Sequence, residues 1–516
     1  MVTHSPFAGR EFGILLHPSS LFGREDIGTL GAEAYQFVDW LASTGAGIWQ
    51  ILPLTLNGQY DSPYFSYSAF AGNLWLVDLT HLHQAGLLGG IDHHPVLHEE
   101  ATDARVPFTK LVDTKRPQLM EAAEALLADG EHPWRERLEQ FRDDEFWLSD
   151  TAHFFALKEE FDDVPWWQWP ASLRARDAAA LRESRLQLAD RIAVWEALFF
   201  FFDLQWSALR AHANLKGLRV LGDLPIYVNH DSADVWLHQG QFQLDADGAL
   251  LAQSGVPPDY FSETGQLWGN PLYRWDLMAQ NGFRWWVQRL RRCLQLTDIV
   301  RIDHFRALSA YWEIPADAAD ARGGRWVTGP GQPFFDVLRH EFPGLPFVAE
   351  DLGTLDDDVY TLRDDNGLFG MRILQFGFDG LPDNQHQPHA FPTSCIVYTG
   401  THDNETLAGW WAGVDPGLRQ EIARYYQVDP DADIGRVVWS FIEAAMGSRA
   451  DVAVIPIQDL HVLDNDARMN DPSVFAGNWS WRMSPQGLSP ELAESIRRLA
   501  ERYGRLRPEP NPAPTG

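Results

Sequence analysis

Eight short apolar runs constrain the fold of this chain more than any other feature. They fall at 12–17, 47–54, 218–228, 298–303, 346–350, 370–376, 395–403 and 452–459. Their length and β-branched content suit strands buried on both faces, as in a parallel sheet. Helical patterns lie between several of them, as at 31–41 and 281–290. Strands alternating with helices eight times predict an α/β chain built on a (β/α)8 barrel.

The spacing of the runs is uneven. The stretch 55–217 separates the second run from the third, far more than an ordinary barrel loop requires. Helical patterns at 116–129, 134–141, 151–161 and 178–202 fill much of it, so a mostly α-helical subdomain is expected there. A second insertion at 229–280, rich in Gly, Asp and aromatic residues, is expected to form a loop over the active site. The barrel is then expected from 1–54 and 218–505, with no room for a C-terminal β-sandwich of ~100 residues. Residues 506–516 read as a Pro-rich tail.

The composition narrows the partners. Lys and Arg number 41 against 72 Asp and Glu, a formal charge of −31. Nucleic acids and anionic membranes reward basic surfaces, so neither is an expected partner. Aromatic residues make up 13% of the chain, with 22 Trp. Most must be core, and the excess suits a site that stacks neutral rings such as sugars. Cys293 and Cys395 sit in apolar contexts and read as unpaired buried thiols. The N-terminal residues lack a basic segment followed by an apolar run, so a cytoplasmic location is expected.

Barrel active sites form at the C-terminal ends of the strands. Four acids stand at such ends: Asp223, Asp303, Glu350 and Asp403. Each has a bland explanation, such as pairing of Asp303 with Arg301 or capping of a turn by Glu350. Together they converge on one mouth, and none of the four Lys (110, 115, 158, 216) lies in those segments. Crowded like charges cost energy and mark a functional cluster. Paired carboxylates fit glycoside chemistry, where one attacks the anomeric carbon and another protonates the leaving oxygen.

The strings Arg301-Ile-Asp303-His304-Phe-Arg306, Ala349-Glu350-Asp351-Leu-Gly353 and Gly400-Thr-His402-Asp403-Asn404 resemble the conserved regions of the α-amylase superfamily. With Asp61-Ser-Pro-Tyr64, Gly222-Asp223-Leu-Pro-Ile226, the segment 255–270 and Gly477-Asn-Trp-Ser-Trp-Arg482, the chain is similar to the 4-α-glucanotransferases of glycoside hydrolase family 77 over about 11–505. The resemblance implies Asp303 as nucleophile forming a glucosyl-enzyme, Glu350 as general acid then base, and Asp403 as transition-state stabiliser. It implies substrate-binding roles for Tyr64, Asp223, Trp268, Arg301, His304 and His402. Within these, Tyr64 would stack on the donor glucose, Trp268 would lie on a loop over the groove, and Asp223 would support the site. Arg301, two residues before the nucleophile, is expected on the same side, holding Asp303 ionised. Retention follows, with the two reacting carboxyls ~5–5.5 Å apart.

The implied partners are maltooligosaccharides and α-1,4-glucans, without cofactor or metal. Hydrolysis of the same glucans and non-catalytic glucan binding are the alternatives. Two departures from the family pattern, Ala307 and Asn470-Asp-Pro-Ser-Val474, put any sugar contact by Asn470 in question. The cluster of His81, His83, His93, His94 and His98 reads as a surface loop, and Thr29 as the cap of the first helix.

Overall fold

The computed structural model describes residues 6–7, 9–58, 61–89, 98, 100–258, 262–380, 384–474 and 476–507. All eight expected strands form. They are β1 (Glu11–Leu15), β2 (Ile48–Gln50), β3 (Arg219–Leu224), β4 (Ile299–Ile302), β5 (Phe347–Ala349), β6 (Gly370–Ile373), β7 (Cys395–Tyr398) and β8 (Val452–Pro456). All neighbours run parallel, in the order β6-β7-β8-β1-β2-β3-β4-β5. The ring closes where the Ala349 N–H donates to the Phe369 carbonyl at 2.8 Å, beside a parallel bridge from Val348 to Phe369.

The period-two alternation of strands decides which side chains meet inside. Leu15, Ile48, Leu221, Ile299, Val348, Met371, Ile373, Ile396, Tyr398, Val452 and Val454 share the barrel interior. The intervening residues Ile14, Trp49, Val220, Val300, Phe347, Val397 and Ala453 join the larger core under the helices. Counting on by two from Leu221, Ile299 and Val348 brings Asp223, Arg301, Asp303 and Glu350 to the interior face at its open end. Gly13 also lies on an inward face, where a Cβ would meet the Ile48 Cβ at 2.7 Å.

The helical subdomain forms as Phe108–Ala128, Trp134–Asp144, Leu148–Glu160, Ala178–Gln187 and Ala189–Leu215. The first starts earlier than its pattern suggested, carrying Pro117 in its interior. The last is apolar and long enough to cross a membrane by composition, yet most of its apolar window is buried. It is also longer than expected and ends as a barrel helix. Trp206 packs on Trp49 of β2 at 5.8 Å, and its indole N–H donates to the Leu296 carbonyl at 2.8 Å. Insertion and barrel therefore share one core, and 217 is not a packing boundary.

The 229–280 segment is more than a loop. Strands Ala252–Val256 and Gln266–Pro271 pair antiparallel and join Ala310–Pro315 and Arg325–Thr328 in a four-stranded sheet. The partner strands follow β4, a non-local pairing that turn signals in 229–280 alone do not reveal. Thr29 is not a cap: Gly31 precedes the helix Ala32–Ser43, and the Thr29 hydroxyl donates to Asp78 Oδ2 at 3.0 Å. Leu506 and Arg507 are packed, with the Arg507 N–H on the Gly45 carbonyl at 3.0 Å; the rest of the expected tail lies outside the described residues. Cys395 is buried and Cys293 half-buried, and both are unpaired.

Replacing Trp206 by Ala opens a cavity between barrel and insertion and orphans the Leu296 carbonyl. Urea unfolding is expected to show a loss of about 3–5 kcal/mol.

Candidate active site

Each acid reaches the barrel mouth by a different strand. Asp223 lies within β3, Asp303 follows β4, Glu350 follows β5, and Asp403 stands on the loop after β7. Arg301 of β4 binds the first two. Its Nη1 donates to both oxygens of Asp223 at 2.7 Å and lies 2.9 Å from Asp303 Oδ1. Side-chain exposure falls from 28% at Asp303 to 4% at Arg301 and 0% at Asp223. Asp223 and Arg301, expected among the sugar-binding groups, therefore lie beneath the floor and hold what faces the groove.

Tyr64 is fixed from below and from the side. Its hydroxyl donates to Asp223 Oδ2 at 2.8 Å and sits 2.8 Å from His402 Nε2. Tyr64 has one proton to donate, so the His402 tautomer is the one with hydrogen on Nε2. Burial lowers the His402 pKa, keeping the ring neutral. The two rings stack at 5.3 Å, and Trp479 packs on both, at 5.6 and 5.9 Å.

Glu350 is held by backbone. Oε2 accepts the His304 N–H at 2.7 Å and Oε1 the Leu352 N–H at 3.1 Å. His304 adopts a left-handed backbone, φ 51°, which aims that N–H at the carboxyl. Its buried Nε2 has no partner among the described residues. The ring stands edge-on to Trp268 at 4.8 Å. Trp268 sits on the strand Gln266–Pro271 rather than on a loop.

The electrostatics separate the two reacting carboxyls. Burial drives Glu350 well above the ordinary carboxylate range, with the Asp303 charge adding to it against Arg301 and the His304 N–H. Burial also raises Asp303, to about 7, opposed by Arg301 and assisted by Asp223 and Asp403. Asp303 touches the guanidinium, whereas Glu350 makes no ion pair among the described residues. The pair therefore loses its first proton at Asp303, leaving an anionic nucleophile beside a protonated acid.

Asp403 is more open, its side chain 43% exposed. Its Oδ1 accepts from Asn470 Nδ2 at 2.6 Å, and its carbonyl accepts from Arg468 at 2.8 Å. The Asn470 N–H donates to the His402 carbonyl at 3.0 Å, and the Trp479 N–H to the Met469 carbonyl at 2.7 Å. The divergent loop around Asn470 thus clasps the β7 loop. Asn470 and Trp479 are the site residues that sequence reasoning missed. Trp479 lies in a quoted motif with φ 63°, but nothing local ties it to Tyr64.

Among the described residues no group of three His, Cys, Asp or Glu is arranged to hold a metal ion. His83 Nδ1 meets the Leu88 carbonyl at 2.8 Å, His98 pairs with Asp26 at 2.7 Å, and His81 packs on Trp134. His93 and His94 lie outside the described residues.

The geometry has close counterparts. The 4-alpha-glucanotransferase family model matches residues 16–489. The chain belongs to the 4-alpha-glucanotransferase family. A 4-alpha-glucanotransferase of Thermus thermophilus is 44% identical over 507 residues, spanning 96% of this chain and 99% of that protein. One from Streptococcus pneumoniae serotype 4 is 42% identical, spanning 96% and 98%. The Streptococcus agalactiae amylomaltase, solved with acarbose, superposes with a TM-score of 0.92 at 35% identity, over 96% of this chain and 100% of that one.

Two measurements follow. A raised Asp303 means the folded state binds its proton more tightly than the unfolded chain does. Stability therefore falls as pH climbs from about 4, the unfolded value, towards about 7. Asp303→Asn is expected to stabilise the protein by on the order of 1 kcal/mol near neutral pH and not at all below about pH 4, read by thermal unfolding. Asn470→Ala frees the Asp403 carboxylate and should lower kcat/KM about tenfold with little change in melting temperature.

Proposed function

We propose that Asp303, Glu350 and Asp403 carry out the family's glucan transfer by a retaining double displacement. The observation that carries this reading is the asymmetric pair: Asp303 held against Arg301 at 2.9 Å, and Glu350 buried with two backbone N–H groups and no ion pair among the described residues. Asp303 attacks the anomeric carbon of a bound α-1,4-glucan while Glu350 gives its proton to the departing glycosidic oxygen. The segment on the non-reducing side stays as an ester on Asp303.

Esterification removes the Asp303 charge, whose repulsion helps to hold Glu350 protonated. Its pKa falls, and Glu350 becomes the base that takes the proton from an incoming 4-hydroxyl. Attack from the opposite face restores the α linkage. Asp403, the most exposed of the three acids, faces the sugar hydroxyls and the positive charge that builds on the ring. Tyr64 offers its ring face, and the His304 imidazole packs edge-on against Trp268. The antiparallel sheet bearing Trp268 narrows access for water, which favours a sugar acceptor over hydrolysis.

Incubation with maltotriose tests the reading. A ladder of longer and shorter oligosaccharides at constant reducing ends is expected; rising reducing ends mean hydrolysis instead. Glu350→Gln should cut kcat by about 10²–10⁴-fold, and Asp303→Asn should abolish turnover while sugar still binds. New linkages seen by NMR should all be α; β products would refute double displacement.

A further inference from the structure

The barrel has a weak seam between β5 and β6. Among the described residues its backbone ladder is one bridge, Val348 to Phe369, with the Ala349 N–H on the Phe369 carbonyl at 2.8 Å. A longer parallel ladder would send the Met371 N–H to the Ala349 carbonyl. That N–H goes instead to a side chain: Asp351 Oδ1 accepts it at 2.6 Å. Glu350 stands at this seam, one residue before Asp351.

Successive residues of extended chain point to opposite sides, so Glu350 enters the mouth and Asp351 enters the seam. The Asp351 side chain is 0% exposed, and its second carboxylate oxygen meets two guanidiniums. Arg363 of the helix Asp357–Asp365 reaches it with Nη1, and Arg372 of β6 lies at 3.2 Å. Gly370 leaves room for the carboxylate, since a Cβ there would lie 2.4 Å from Oδ2. Arg363 also pairs with Asp364, at 2.7 Å. One enclosed anion thus serves two cations, a single residue away from the acid.

The charges around Glu350 divide between mouth and seam. Arg301 and Asp303 act on it across the mouth, while Asp223 and Asp403 act on Asp303. Burial keeps His402 and His386 neutral. On the seam side, Asp351 adds to the repulsion that keeps Glu350 protonated. We propose that Asp351 is a positioning residue for Glu350: with Arg363 and Arg372 it ties the end of β5 to β6, and its charge sets how tightly the acid holds its proton. This role rests on Glu350 acting as the general acid of the transfer argued above.

The pH dependence of kcat/KM for maltotriose disproportionation tests the role. Its basic limb reports loss of the proton from the acid in the free enzyme. Asp351→Asn keeps an oxygen for the Met371 N–H but removes the negative charge and leaves two guanidiniums unopposed. The limb is expected to move to lower pH by about half a unit or more. Arg363→Gln removes a positive charge from the same cluster and should move the limb to higher pH by about as much. A residue that only braces the seam would lower the melting temperature and leave the limb in place. A limb unmoved in either variant, or moved the same way in both, overturns the proposal. If Asp351→Asn does not fold, Arg363→Gln decides: an upward shift supports the role, and no shift or a downward one overturns it. The acid assignment beneath it is checked separately, because the basic limb must vanish in Glu350→Gln. A limb that persists there defeats that assignment, and this role with it.

Discussion

The guanidinium of Arg301 is the interaction on which the site depends. It is buried on the inner face of the barrel, donating to both oxygens of Asp223 and lying 2.9 Å from Asp303. A buried cation is tolerable only when anions satisfy it, and buried anions only when a cation does. Asp223 is wholly enclosed and serves as the fixed counter-ion. Asp303, on the next strand of the barrel and partly open, is left as the half-satisfied anion, with one side towards the groove. The same Asp223 orients the Tyr64 hydroxyl, which in turn sets the His402 tautomer. One ion pair thus fixes the nucleophile, the stacking platform and a neutral imidazole.

The consequence is a division of labour between two carboxyls in one buried mouth. Glu350 receives backbone N–H groups and feels Arg301 without forming an ion pair with it among the described residues, so burial wins and it keeps its proton. Asp303 receives the cation, so it is first to ionise. Their coupling runs both ways: a charged Asp303 keeps Glu350 protonated, and an esterified Asp303 releases it. The acid-to-base change of role needs no moving part.

Much of this was legible in the sequence because strands encode their geometry locally. Each barrel strand was found, and the period of two put Arg301 and Asp303 on one side without reference to any fold. What could not be read were contacts between distant segments. The antiparallel sheet joins 252–271 to 310–328 across β4, and no local pattern announces that pairing. Asn470 looked like a departure from the family string, yet its side chain holds Asp403 across 67 positions of chain. Trp479 was visible as a motif residue, while its place against Tyr64 and His402 is a matter of tertiary packing alone.

The account stands on Glu350 being protonated because it is buried beside an ionised Asp303. The direct measurement is a carbon-13 NMR titration of the Glu350 carboxyl, assigned with Glu350→Gln and repeated in Asp303→Asn. The account predicts a midpoint well above the ordinary carboxylate range that drops when the Asp303 charge is removed. A midpoint in the ordinary range, or one that does not respond to Asp303→Asn, would contradict it.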